Sequence, residues 1–335
     1  MSKKIDLYEE LKSKEPLVVC SHFDADGCYS AALLSSVFKI KKIHFPWLFG
    51  DYSVIKEQKR NETIETSVDV GLDLGPPLDE FNGIIIDHHP QTLEYKRSTS
   101  PKYDSKIFYD DVPTTGIVYK LFKDRIPENE TWKVAGGLVG DGQANKMPIE
   151  IWDKFPVLLE SRGRIYQGTY GKLRDYPYPI YKQLSSPVNA MCRNGDPETA
   201  YEIIKRAKSP IDIVNNPAMK NDQETIENEI KEVFKERPIE ENVRDTVGIV
   251  VINSKKRIGS RICTLLSGMD SNKTWIVAND TNKKFSIRGD LADYVGSKLL
   301  KEGFSCGGHS GFWGGELKTE QTGKDIVKTL REVLK

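Results

Sequence analysis

The chain has 335 residues, of which 38% are hydrophobic and 29% charged, and forty-nine Lys and Arg balance forty-nine Asp and Glu. Ordinary apolar content with zero net charge excludes a disordered chain and a polyanion clamp spread over the whole surface. The length is that of two or three domains at roughly 100–200 residues each.

Leu17–Cys20, following Pro16, is a short apolar run that predicts a strand, and Lys42–Phe45 predicts a second. Cys28–Phe38, rich in small and apolar residues, predicts a helix between them. Val68–Leu72 and Ile84–Ile86, the latter entered through Asn82-Gly83, supply two more strands. Short buried strands alternating with helices imply a doubly wound, mostly parallel α/β sheet. Ligands of such sheets collect at the carboxyl ends of the strands.

From about residue 115 to 235 the pattern turns helical. Thr115–Phe122, Trp132–Val139 and Pro197–Ala207 carry apolar residues at three- and four-residue spacing. The charged run from Asn221 to Pro238 predicts a solvated linking helix ended by its proline. Strands return at Val247–Ile252, Thr274–Ala278 and Phe285–Arg288. Helices then follow at Asp290–Leu300 and through Ile326, Val327, Leu330, Val333 and Leu334. This makes a smaller α/β domain, and residues 245–335 carry fifteen Lys/Arg against ten Asp/Glu. The expected division is 1–215 with its helical part at 115–215, a linking helix at 216–244, and 245–335.

No apolar segment approaches the roughly 20 residues that cross a bilayer, and the charged N-terminus is followed by no secretory apolar run. Five cysteines, widely spaced and without a CxxC pair, argue against a disulfide scaffold or a thiolate zinc site. A reduced, cytoplasmic setting away from membranes is expected.

Histidine is scarce, and three of the five stand beside aspartates just after predicted strands. His22 lies in Ser21-His22-Phe23-Asp24-Ala25-Asp26-Gly27, and His88 and His89 lie in Asp87-His88-His89-Pro90. Asp73, before Gly75-Pro76-Pro77, and Asp141, before Gly142, mark two further element ends. In a parallel sheet these tips lie side by side, where packed aspartates repel unless cations neutralise them. Mixed His and Asp donors without cysteine suit manganese, magnesium, zinc or iron. Six such ligands exceed one tetrahedral ion and point to two bridged cations about 3.5–4 Å apart acting on a phosphorus centre. Asp69 shares a strand face with Asp73; Asp73 is preferred because the Gly-Pro-Pro run marks the strand's exit.

These residues resemble the DHH phosphoesterase superfamily, named for the tripeptide present here as Asp87-His88-His89. Its HxDxDG motif stands intact as His22 to Gly27, its later aspartate motif matches Asp141, and Ser286-Ile287-Arg288 with Gly307-Gly308-His309 resembles the DHH-associated substrate-binding domain. The resemblance implies that 1–215 is the catalytic domain and 245–335 the substrate-binding one. It implies that His22 and Asp24 hold one Mn2+, with Mg2+ an alternative, and that Asp26, His88 and Asp141 hold a second. Asp73 would bridge the two, Asp87 would orient His88, and His89 would approach the phosphate oxygens. Arg288 and a glycine-rich loop at Gly307, Gly308 and His309 would grip the substrate.

The implied activity is a RecJ-like or nanoRNase-like exonuclease acting on single-stranded DNA or RNA or on short oligonucleotides. Alternatives are hydrolysis of a small nucleotide, such as a cyclic dinucleotide or nucleoside bisphosphate, and a non-catalytic replication scaffold. One departure concerns Ser310-Gly311-Phe312-Trp313-Gly314-Gly315, where the family commonly has small residues. Phe312 and Trp313 could stack on a base or fill the small domain's core. Thr114 or Thr115 is suited to capping a helix, and Asn189 and Arg193 to a turn or to the site.

Overall fold

The structure is a computed structural model, and it describes residues 6–46, 51–53, 55–59, 62–98, 106–169, 172–235, 239–309 and 311–334. The chain divides into two compact units, Met1–Gln223 and Glu224–Lys335.

The first unit opens with α1 (Leu7–Lys14), β1 (Leu17–Ser21), α2 (Ala25–Ser35) and β2 (Ile40–His44). A hairpin, β3 (Ile55–Lys59) and β4 (Glu62–Thr66), precedes β5 (Val70–Leu72), β6 (Ile84–Asp87), α3 (Pro90–Arg97) and β7 (Lys106–Tyr109). Strands β2-β1-β5-β6-β7 form one sheet, parallel throughout. Strand β1 leads to β2 on one side while the chain returns to β5 on its other side, so a topological switch lies between β1 and β5.

Side chains alternate across that sheet. Leu17, Val19, Val70, Leu72, Ile84 and Ile86 join the larger core with Tyr29, Leu33, Phe122 and Trp132. Val18, Cys20 and Ile85 face a second core with Leu74 and the stacked rings of Tyr52 and Phe81. Burial of both faces explains why these strands read as continuous apolar runs.

Helices α4 (Thr114–Phe122), α5 (Lys133–Gly140) and α6 (Ile149–Lys154) follow, then a hairpin of β8 (Ser161–Thr169) and β9 (Lys172–Pro179). Helices α7 (Ile180–Gln183), α8 (Ser185–Asn194), α9 (Pro197–Arg206) and α10 (Pro210–Val214) follow, and α11 (Pro217–Lys235) runs across the boundary between the units. The helical reading of 115–235 therefore needs correction at 161–179, where an antiparallel pair replaces helix. The expected end of the linking helix at Pro238 lies outside the described residues. The edge strand β7 and both hairpins carry too little apolar alternation to signal themselves.

The second unit comprises β10 (Ile239–Arg244), β11 (Val247–Ile252), α12 (Gly259–Met269), β12 (Thr274–Asn279) and β13 (Lys284–Arg288). Helix α13 (Ala292–Lys301), β14 (Ser305–His309), β15 (Phe312–Glu316) and α14 (Gly323–Val333) follow. Its sheet runs β10-β11-β12-β13-β15-β14, with β11 and β12 parallel and the other pairs antiparallel. Val247, Ile249, Ile276, Phe285 and Ile287 pack with Val295, Leu299, Ile326 and Leu330 from α13 and α14. Thr322 and Asp325 form a reciprocal capping box that starts α14.

Gly307 and Gly308 lie in the edge strand β14, paired with Gly314 and Trp313, where a glycine-rich loop was expected. Glycines have little strand preference of their own; the antiparallel partner supplies the extended conformation.

Candidate metal centre

The carboxyl ends of β1, β5 and β6 converge at the switch point, and α2, α4 and α5 bring further groups to the same place. After β1 the chain turns directly into α2, so Asp26 and Gly27 fall in that helix's first turn. Asp24 is its N-cap: Oδ1 accepts from the Gly27 N–H at 3.0 Å, while Oδ2 lies 2.8 Å from Nδ1 of His22. One carboxylate thus caps a helix and faces the cluster. Gly27 permits the tight turn, because a Cβ there would fall 2.1 Å from the His22 carbonyl oxygen.

Asp73 follows β5 with φ +61°, a left-handed conformation unusual for aspartate. Its amide donates to the Ile86 carbonyl at 3.1 Å, which holds the turn against β6. Asp73 is 1% exposed. Its Oδ2 lies 3.6 Å from His22 Nδ1, whereas Oδ1 lies 3.3 Å from His88 Nε2 and 3.8 Å from His89 Nδ1. The two oxygens therefore face two different groups of donors. Asp69 lies elsewhere: its carboxylate accepts from the Val18 amide at 2.8 Å.

His88 Nε2 also lies 3.0 Å from Oδ2 of Asp141, which caps the C-terminus of α5. A carboxylate at that negative helix end is electrostatically unfavourable without a cation. Asp26 is fully buried and accepts from the amides of Thr114 and Thr115, at 2.6 and 3.0 Å, and from the Thr115 hydroxyl. The Thr114 hydroxyl donates to Asp73 Oδ1 at 3.2 Å. The N-terminus of α4 is thereby committed to site carboxylates.

Asp87, also fully buried, faces His89: Oδ1 lies 2.8 Å from Nδ1 of that ring, and Oδ2 accepts from the His89 amide and the Thr92 hydroxyl. The imidazole it orients is that of His89, where the sequence reading had it orient His88.

These groups make three overlapping sets, each with one ligand atom per residue and all such atoms within 4.8 Å of one another. They are His22, Asp24 and Asp73; Asp26, Asp73, His88 and Asp141; and Asp73, His88 and His89. Burial and the charges of Asp73 and Asp141 push Asp26 well above the usual carboxylate range. Burial also raises Asp141, although His88 opposes it. Burial works against ionisation of Asp73 too, but hydrogen bonds from His22 and His88 hold it well below that range. Burial disfavours the imidazoliums of His22 and His88, yet Asp24 and Asp141 respectively, each with Asp73, hold their pKa values well above the ordinary value. Nitrogen and oxygen donors sharing one central carboxylate fit a pair of divalent ions.

Thr114 and Thr115, expected only to cap a helix, are site residues, and Asn189 on α8, expected at a turn or the site, meets the start of α2. Asn189 Oδ1 accepts from the Ala25 amide at 2.8 Å and satisfies a donor at the start of α2. All three carry ordinary capping signals, but the helix start that Asn189 serves is 164 residues away along the chain.

In the second unit Arg288 ends β13, with Nη1 donating to the carbonyls of Ile287 and Trp313 at 2.8 and 3.0 Å. Gly307, Gly308 and His309 lie one strand beyond β15; the side chain of His309 lies outside the described residues. Trp313 is 9% exposed and its indole N–H donates to Asp293 at 2.8 Å, whereas Phe312 is 42% exposed. The aromatic pair is split between core and surface.

The sequence matches no protein-family model and no curated protein. Among solved structures, the chain is similar to RecJ of Thermus thermophilus in complex with Mn2+, at 12% identity and TM-score 0.61, covering 98% of this chain and 53% of that one. It thus spans about half the length of that RecJ. It is similar to the DHH domain of a member of a family of ribosomal proteins, at 12% identity and TM-score 0.61, covering 98% and 88%. It is also similar to CDC45 from Entamoeba histolytica, at 10% identity and TM-score 0.50, covering 97% and 96%. The parallel sheet, followed by a smaller mixed sheet, gives this chain the fold of RecJ and of that DHH domain.

Proposed function

We propose that the chain is a manganese-dependent phosphodiesterase that removes nucleotides from an end of single-stranded DNA, RNA or short oligonucleotides, as a RecJ-like exonuclease. The observation that carries this reading is the position of Asp73, one oxygen toward His22 and the other toward His88. The convergence of these donors supports catalysis more than the fold does.

His22 and Asp24 would hold one ion, Asp26, His88 and Asp141 the other, and Asp73 both. Divalent ions bound there supply the positive charge that makes water nucleophilic near neutral pH and offsets charge developing on a phosphoryl group. Mn2+ is preferred and Mg2+ second, RecJ having been solved with each. His89, oriented by Asp87, presents its ring to the phosphate oxygens and stabilises them by hydrogen bonding. In the second unit, the planar guanidinium of Arg288 and the backbone at Gly307, Gly308 and His309 suit a phosphate. Residues 1–215 would then form the catalytic domain and α11 (Pro217–Lys235) the link; the expected link to 244 is corrected at 239–244, which is strand β10 of the sheet that would serve as the substrate-binding domain.

The test is incubation of end-labelled single-stranded DNA and RNA with the full chain and Mn2+. Mononucleotides are expected, abolished by EDTA and restored by Mn2+. No release from either strand overturns the exonuclease reading, and strand binding without cleavage would identify a scaffold.

A further inference from the structure

In the second unit, Arg288 and Phe312 occupy matching register positions on adjacent strands: Arg288 of β13 pairs with Phe312 of β15. Directly opposed residues of antiparallel strands share a sheet face. The adjacent position on β15 turns the other way, and there Trp313 enters the core beside Gly296, whose lack of a side chain makes room for the indole.

The face that carries Phe312 is covered unevenly. Over β12 and β13 it is closed by α12, where Cys263 Sγ lies 3.0 Å from the Trp275 carbonyl oxygen and 3.4 Å from that of Ser286. Farther along the same face, Ser286 is followed across the strands by Gly314 and then Gly307. A Cβ added to Gly314 would meet only the Phe285 carbonyl oxygen, at 3.6 Å. The outer strands therefore present a strip floored by backbone, with Phe312 at one end. The Arg288 guanidinium carbon lies 4.8 Å from the Phe312 ring centroid, and its Nη1 is fixed by two carbonyls.

We infer that Phe312 is a stacking platform for a nucleobase, beside an arginine that takes the neighbouring phosphate. A π surface next to a planar cation matches the repeating unit of a nucleic acid, a flat base joined to an anion. A bare phosphate chain has nothing to place on the ring. The inference rests on the phosphodiesterase reading and narrows it to substrates that carry bases, as against polyphosphate or pyrophosphate.

The test is calorimetric binding, in calcium buffer, of a 5′-phosphorylated diadenosine dinucleotide and of its abasic counterpart with the same sugar–phosphate chain. The full chain should bind the base-bearing ligand about tenfold more tightly, the preference expected of one good stacking contact. Phe312→Ala should erase the preference, and Phe312→Trp should keep it. Equal binding of both ligands by the unaltered chain, or a preference that survives Phe312→Ala, overturns the inference. Hydrolysis of the same dinucleotide in Mn2+ is scored separately. Absence of turnover counts against the phosphodiesterase, while the binding ratio still decides the role of Phe312.

Discussion

The first unit pairs its strands in parallel and buries both faces of the sheet, so polar chemistry has room only where strands end. The second unit pairs most strands antiparallel, so Arg288 and Phe312 lie opposite each other across two strands in register. One arrangement draws carboxylates and imidazoles from distant sequence positions into a cluster around the buried Asp26 and Asp73, where a cation has large electrostatic leverage. The other sets a half-buried guanidinium beside an exposed aromatic ring, where contacts are weaker and discriminate by shape. The contrast fits a division of labour between reacting on a phosphate and recognising what is attached to it.

The sharpest way to break the contrast is at Asp73. Asp73→Asn should lower turnover by more than about a thousandfold and empty the site of metal. Asp69→Asn, which loses a bond to the Val18 amide, should cost only about 1 kcal/mol of stability and keep its metal. Turnover and metal analysis of both variants check this, and normal turnover in Asp73→Asn would reverse the choice of bridging residue.

The next test concerns the core of the second unit. Trp313→Ala removes a buried indole and should cost about 3–5 kcal/mol in denaturant unfolding. If the two regions have separate duties, metal content per chain stays unchanged; joint loss of metal would join what is here divided.

The smallest effect is expected at Thr115, whose amide and hydroxyl hold Asp26. Thr115→Val should weaken Mn2+ binding about 10–100-fold, and Thr115→Ser should restore most of it. A pure packing role would show the reverse, with Val tolerated and Ser costly.

Much of the cluster was legible in the sequence. His22, Asp24, Asp26, Asp73, His88 and Asp141 all stand at element ends, and element ends follow from local periodicity and from Gly and Pro. The readings that failed involve a local signal overridden by a distant partner. Gly307 and Gly308 look like a loop but are held extended by β15.

From its own pattern, then, the chain determined which segments become short buried strands, where their tips fall and which polar groups sit there. Those properties depend on neighbours a few residues away. Only the folded structure decided that the amides of Thr114 and Thr115 serve Asp26, that Asn189 serves Ala25, and which of Phe312 and Trp313 is exposed. Alternation along β15 puts the two rings on opposite faces. Which of those faces is core depends on where the helices pack, and that is settled by contacts far apart along the chain.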